Sequence, residues 1–307
     1  MKIGFLFPGQ GAQSIGMGKD LYEKYEEYKK VYDDVRIVTG VNVADLTFNS
    51  TEEILGKTQN TQICILTMSL AILKLLEEKG ITAEASIGLS LGEYSALASS
   101  NAISLEDAVK IVKIRGELMQ NFCPRGNWSM AAILGLDEET VTKVCSETQG
   151  FVVPANFNCP GQIVISGEKE SVDKAMDSMK NAGAKRALEL KTSGPFHTEK
   201  LEIASNELRK ELDKISINNF KHTVIKNLDG KEYTKADDVK DILAKHITNS
   251  VRFEQGIKTM LNMGIDTFIE IGPGKTLTGF VKKANKDVKT YNINNVESLE
   301  NVLAELV

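Results

Sequence analysis

The sequence predicts an α/β protein with a ferredoxin-like βαββαβ unit set into a larger domain. Two observations predict this. Strand-like apolar runs alternate with helix-like amphipathic stretches along the chain. Between about 126 and 191 the order tightens to strand, helix, strand, strand, helix, strand. The length of 307 residues agrees, since domains run to ~100–200 residues. The expected division is a larger domain from 1–125 and 192–307, with the inserted unit at 126–191.

Residues 3–7 (IGFLF) read as a buried strand. The apolar run there is too short for a signal segment or a membrane span, and Pro8 cuts it. Residues 9–18 are a glycine-rich loop, and 21–38 a charged amphipathic helix. Ser50-Thr-Glu-Glu53 is a capping-box signature that opens a short helix. Over 61–79, Ile63, Leu66, Leu70, Leu73 and Leu76 fall at helical spacing with few charges before Lys74. This predicts a helix buried around most of its girth and ended by Gly80. A strand at 85–88 leads into a helix at 92–100, and Ser104 caps another that reaches about Phe122. The inserted unit takes strands at 129–134, 152–156, 162–166 and 186–190, with helices at 138–148 and 169–182. Beyond it come a helix at 199–213, a strand at 223–226, helices at 239–247 and 253–263, and an apolar strand at 267–271 before Gly272-Pro273-Gly274. The stretch 275–289 is rich in lysine.

Thirty-seven Lys and Arg against 42 Asp and Glu leave a net charge of −5, so no global field favours nucleic acid. Cys64, Cys123, Cys145 and Cys159 contain no CxxC pair, which removes a zinc ribbon or a redox dithiol. Free thiols in a reducing, cytoplasmic setting are expected, with no metal and no membrane.

The sharpest chemical signal is Gly88-Leu89-Ser90-Leu91-Gly92, a G-x-S-x-G between a strand and a helix start. That is the setting of a nucleophile elbow. The glycines allow a tight turn, and the helix N-terminus favours developing negative charge at Ser90. The plainer alternative is a glycine-rich turn with a capping serine. A serine nucleophile needs a base, and the chain offers His197, His222 and His246. His222 flanks a strand in a polar stretch and reads as a surface residue; His246 lies late in a helix. His197 sits in a loop, Ser193-Gly-Pro-Phe-His197, where Gly194-Pro195 fixes a turn and Phe196 anchors it. It is the preferred base, with an ordinary pKa of roughly 6.5. No acid has a distinctive setting as third member, and a backbone carbonyl can orient the imidazole instead. The loop Pro8-Gly-Gln-Gly-Ala-Gln13 can offer a backbone N–H to an oxyanion. It fails as a dinucleotide fingerprint, because Ser14 stands at the third glycine position; Gly274-Lys275-Thr276 fails as a phosphate loop, because Ile269 stands at its first glycine position. Arg115, in a mostly apolar helix, either snorkels at a rim or pairs with an anion; alone, the former is the simpler reading.

These residues together resemble the malonyl-CoA:acyl carrier protein transacylase family over nearly the whole chain. The motifs occur in order: FPGQGAQ at 7–13, GLSLGEYSAL at 88–97, IRGELMQ at 114–120, NFNCPGQIVISG at 156–167, SGPFH at 193–197 and EIGPGKTLTG at 270–279. The resemblance implies an α/β-hydrolase-like large domain with the ferredoxin-like insertion. It implies Ser90 as nucleophile, His197 as base, and Arg115 as the partner of the malonyl carboxylate. Gln10 and Leu91 would supply oxyanion N–H groups, Met119 and Phe196 would line the acyl pocket, and Asn156 and Asn158 would lie near the pantetheine arm. The chain departs from the family pattern at Leu89, where histidine is usual, and at His246, where glutamine is frequent and its backbone carbonyl orients the imidazole.

The implied reaction carries malonyl from malonyl-CoA through a malonyl-serine to the phosphopantetheine thiol of holo-acyl carrier protein, supplying fatty acid synthesis. No cofactor is implied beyond the groups the substrates carry, and a monomer is expected. Acyl carrier proteins are acidic, so docking on a net negative chain calls for a local basic patch. Lys275, Lys282, Lys283, Lys286 and Lys289 are candidates, against the alternative of an ordinary solvated surface. The competing activity is a serine thioesterase or esterase using the same Ser90 and His197.

Overall fold

A computed structural model describes residues 1–192, 194–234 and 237–306. The strands are β1 (Ile3–Phe7), β2 (Ala85–Gly88), β3 (Trp128–Leu134), β4 (Val152–Cys159), β5 (Gln162–Glu168), β6 (Arg186–Leu190), β7 (Thr223–Ile225), β8 (Thr267–Ile271) and β9 (Lys289–Ile293). They form two sheets, a parallel one of order β7-β2-β1-β8-β9 and an antiparallel one of order β4-β5-β3-β6.

The central strand β1 is buried at every position, as a parallel strand covered on both faces must be. Its side chains alternate. Ile3, Phe5 and Phe7 pack into the core built around the helix Thr58–Glu78, whereas Leu6 joins the opposite core with Phe253, Met260, Leu277 and Phe280. Gly4 is needed on that second face, because a Cβ there would lie 2.6 Å from the Met260 methyl. Thr58–Glu78 is long and apolar enough to cross a membrane, but most of it is buried inside this fold. That explains its apolar girth without a bilayer.

The antiparallel sheet alternates in the same way, and this shapes the cleft. Ala131, Ile133, Ile163 and Ile165 face the helices Glu138–Glu147 and Lys169–Asn181 through Val141, Val172, Ala175 and Met179. Met130, Ala132 and Val164 point the other way, into the cleft between the sheets. A main-chain seam ties the antiparallel sheet to the large domain. Asn156 in β4 forms a parallel bridge with Val251, whose carbonyl accepts from Phe157 N–H and whose N–H donates to Ala155, both at 2.8 Å.

Several elements differ from the sequence expectation. The helix expected over 21–38 is two helices, Lys19–Lys24 and Glu26–Thr39, broken at Tyr25 with extended backbone (φ −117°, ψ 115°). The break holds neither Gly nor Pro, so the apolar spacing runs through it. The short helix after Ser50 is Glu52–Leu55, and Thr51 caps it by accepting from Ile54 N–H; Ser50 instead donates back to Leu46 of the helix Val43–Phe48. The helix expected over 199–213 opens as a 3-10 turn, Glu199–Leu201, before Glu202–Leu212. The lysine-rich stretch is structured: the helix Thr276–Ala284, β9 and the helix Val296–Leu306 follow in turn.

Candidate active site

Ser90 sits where β2 turns into the helix Gly92–Ser99, with φ 53°. A left-handed serine is a strained conformation, costing ~1–3 kcal/mol. The flanking glycines make the turn possible. A Cβ at Gly88 would lie 1.8 Å from the Gly92 carbonyl carbon, and one at Gly92 would lie 2.1 Å from the Phe7 carbonyl oxygen. The strand end, the bend and the first loop are therefore in direct backbone contact.

His197 brings its Nε2 to 2.8 Å from the Ser90 hydroxyl oxygen. Its Nδ1–H donates to the His246 carbonyl at 3.0 Å, which leaves Nε2 as the free acceptor for the Ser90 proton. His197 is itself left-handed, with φ 60°. Burial, and then the Arg115 charge, push its pKa down to about 4, so the imidazole rests neutral at neutral pH.

The Arg115 guanidinium is buried and reaches the same oxygen. Nη2 lies 3.2 Å from Ser90 Oγ, Nη1 donates to Gln62 Oε1 at 2.6 Å, and the group lies over the Tyr94 ring at 5.5 Å. Its Nε has no hydrogen-bond partner among the described residues. A buried cation with a spare donor beside a hydroxyl that also meets an imidazole can receive a small anion. The loop after β1 closes the other side, with Gly9 so near Leu89 that a Cβ would lie 2.3 Å from its carbonyl oxygen. The backbone N–H groups of Gln10 and Leu91, either side of the serine, make no hydrogen bond among the described residues. The Gln10 side chain is anchored to Thr58 Oγ1 at 3.4 Å. Serine, imidazole and guanidinium open onto a cleft of about 790 Å³ between the sheets. A profile described as "Acyl transferase domain" matches residues 4–300 of this sequence.

The chain belongs to the acyl transferase family. It is 44% identical over 302 residues to a "Malonyl CoA-acyl carrier protein transacylase" of Bacillus subtilis (strain 168), covering 97% of this chain and 95% of that one. A protein of the same description from Staphylococcus aureus (strain MRSA252) is 38% identical, covering 97% of both. Among solved structures, the malonyl CoA-acyl carrier protein transacylase of Clostridium perfringens ATCC 13124 superposes with a TM-score of 0.95 at 44% identity, over 100% of this chain and 97% of that one. A malonyl-transacylase in complex with its type II PKS acyl-carrier protein superposes with a TM-score of 0.95 at 36% identity, over 99% and 100%. This acyltransferase shares with those structures the parallel sheet and the separate antiparallel one.

The cleft of the acyltransferase gathers most of the residues singled out from the sequence. Gln10, Ser90, Arg115, Met119, Asn156, Asn158, Phe196 and His197 all line it. Leu91 does not, because its side chain is buried in the core and only its backbone adjoins the serine. His246 contributes its carbonyl, but its ring is also buried and lies tilted against His197 with centroids 5.1 Å apart. Ser193 lies outside the described residues. His222 is not the surface residue expected. Its Nε2 lies 3.0 Å from Ser86 Oγ and 3.3 Å from Ser99 Oγ, its ring meets Phe5 edge-on, and burial pushes its pKa down to about 4.

Sequence reasoning passed over Gln62, Glu93 and Asn227. Gln62 orients Arg115 and reaches Met119 Sδ at 3.4 Å; it is an amide in a helix whose spacing predicts burial around most of its girth, which is a readable signal. Glu93 is wholly buried, with Oε2 3.1 Å from His246 Nδ1 and Oε1 accepting from Tyr233 at 2.7 Å. Burial pushes its carboxyl up to about 7. Its place directly after Gly92 was the available clue.

Proposed function

We propose that this acyltransferase moves a malonyl group from malonyl-CoA to the phosphopantetheine thiol of holo-acyl carrier protein through a malonyl ester on Ser90. The observation that carries this reading is the meeting of three groups on one oxygen: Ser90 Oγ lies 2.8 Å from a neutral imidazole and 3.2 Å from a buried guanidinium. The names of the relatives, and the neighbour bound to a carrier protein, support the donor and acceptor.

Ser90 attacks the thioester carbonyl while His197 Nε2 takes its proton. The tetrahedral oxyanion develops against the N–H groups of Gln10 and Leu91; losing one such donor typically costs ~2.7–4 kcal/mol. The C–S bond breaks and CoA leaves as its thiol, taking the proton from His197. The carrier thiol then gives its proton to His197 and attacks the ester, which returns Ser90 as its hydroxyl. This is a ping-pong sequence. Arg115 meets the free malonyl carboxylate through Nη2 and the spare Nε, with Gln62 and Tyr94 fixing the plane of the fork. Phe196 and Met119 bound the acyl end, and Asn156 and Asn158 offer polar groups to the pantetheine arm. His246 orients the base through its carbonyl. No cofactor is needed beyond the groups the substrates carry, and we place the protein as a cytoplasmic monomer serving fatty acid synthesis.

Intact mass after mixing with malonyl-CoA tests the reading. The wild type gains one malonyl group, the Ser90→Ala variant gains none, and holo-acyl carrier protein discharges the adduct. An adduct on Ser90→Ala removes the nucleophile. Discharge to water faster than to the carrier makes the protein a thioesterase.

A further inference from the structure

A buried carboxamide grips the elbow from behind. Asn227 is fully buried, two residues past the end of β7. Its Oδ1 accepts from the Ser90 N–H at 2.7 Å, and its Nδ2 donates to the Gly88 carbonyl at 2.7 Å. One planar amide thus spans both sides of the bend. Its own backbone is fixed on each side: the N–H donates to Glu93 Oε2 at 3.3 Å, and the carbonyl accepts from Arg252 N–H at 2.7 Å. Tyr233 steadies Glu93 in turn.

None of the chemistry derived above uses Asn227. Yet a serine at φ 53° persists only where its surroundings over-determine it. Gly88 and Gly92 permit the close approach but do not enforce it. The carboxamide enforces it, because relaxing Ser90 towards negative φ would turn its N–H away from a buried acceptor, and an orphaned buried group is costly. We propose that Asn227 is a positioning residue whose side chain, braced by Glu93, clamps Gly88 and Ser90 and keeps the Ser90 hydroxyl aimed at His197. The inference rests on Ser90 being the nucleophile. A displacement of about an ångström at such a hydroxyl lowers the rate on the order of a hundredfold. The acyl and CoA contacts stay intact, so substrate affinity does not follow.

The test is the single-turnover rate of malonyl-adduct formation, read by mass for the wild type, Asn227→Ala, Asn227→Asp and Ser90→Ala. Asn227→Ala should load roughly a hundredfold more slowly at saturation, with half-saturating malonyl-CoA within about twofold of the wild type. Asn227→Asp supplies a signature that a structural role would not move. As a neutral acid it can accept from Ser90 and donate to Gly88 as the amide does; as a carboxylate it can only oppose the Gly88 carbonyl. Its rate relative to the wild type should therefore rise as pH falls. Glu93, with Tyr233 and Asp229 around it, and His197 and Arg115 beyond Ser90 all face this pocket; Arg115 stays charged, and Glu93 couples to the new carboxyl, so the ratio reports the titration of that pair. Loading of Asn227→Ala within about threefold of the wild type overturns the clamp, as does an Asn227→Asp ratio that stays low at every pH. If Asn227→Ala does not fold, the Asn227→Asp ratio decides alone. An adduct on Ser90→Ala would instead overturn the nucleophile itself.

Discussion

Arg115 offers the most decisive perturbation. In Arg115→Ala the malonyl carboxylate enters a buried pocket with no cation to meet it. Removing one partner of a buried charge pair costs ~3–5 kcal/mol, and each ~1.4 kcal/mol is tenfold in rate. Loading from malonyl-CoA should therefore fall by roughly two to four orders of magnitude in kcat/KM. Acetyl-CoA responds differently. In the wild type its methyl group leaves the guanidinium desolvated, with Nε unpaired; in the variant that burden is gone. Acetyl loading should change by less than about tenfold, so the ratio of malonyl to acetyl kcat/KM collapses. Arg115→Lys separates charge from geometry, because an ammonium restores a cation but not the fork held by Gln62 and Tyr94. The assay is adduct formation on Ser90 against concentration of each acyl-CoA. Equal losses for malonyl and acetyl would refute carboxylate recognition by Arg115 and leave it a structural cation near the serine.

The low value of about 4 at His197 means that the base stays neutral well into acid. Loading kcat/KM should stay level as pH falls through 6.5 and drop only as it approaches about 4, and a break near the ordinary histidine pKa would contradict it. At His222 the folded pKa of about 4 lies below the unfolded ~6.5, so the unfolded state binds the proton first. Its contribution is full above pH 6.5 and is lost on acidification to about 4. The interval is worth ~3 kcal/mol, and wild type should lose that much more than His222→Gln in denaturant titrations at the two ends. Phe196, beside the base and lining the cleft, should crowd an α-methyl group; Phe196→Ala should raise methylmalonyl relative to malonyl loading, and an unchanged ratio would clear it. Lys283→Glu should raise KM for the carrier and leave malonyl-CoA loading intact, whereas Lys282→Glu should cost about 1 kcal/mol of stability, because its ammonium holds the Lys286 and Val288 carbonyls.

Much of this was readable because local signals coincided with the fold. Phe5, Leu6 and Phe7 announce a strand buried on both sides, and Gly88 and Gly92 announce a bend that only glycine permits. Signals failed where a side chain's meaning depends on distant partners. Arg115 looks like a rim cation until Gln62, Tyr94 and Ser90 surround it. His222 looks exposed because its polar neighbours in sequence are not its neighbours in space. The lysines after 275 mask Leu277, Phe280 and Val281, which bury one side of a regular helix. Asn227 left no trace, because an asparagine after a strand usually reads as a turn.

The seam at Val251 carries a mechanical consequence. Four residues separate it from the carbonyl that steers the imidazole, and its other side is Asn156, on the wall where the incoming arm would lie. Rocking of the small sheet against the large domain would strain the two main-chain hydrogen bonds at Val251 and pull on the segment that carries the His246 carbonyl. A carrier that pried the lobes apart would detune the contact between the imidazole and Ser90 by the same movement.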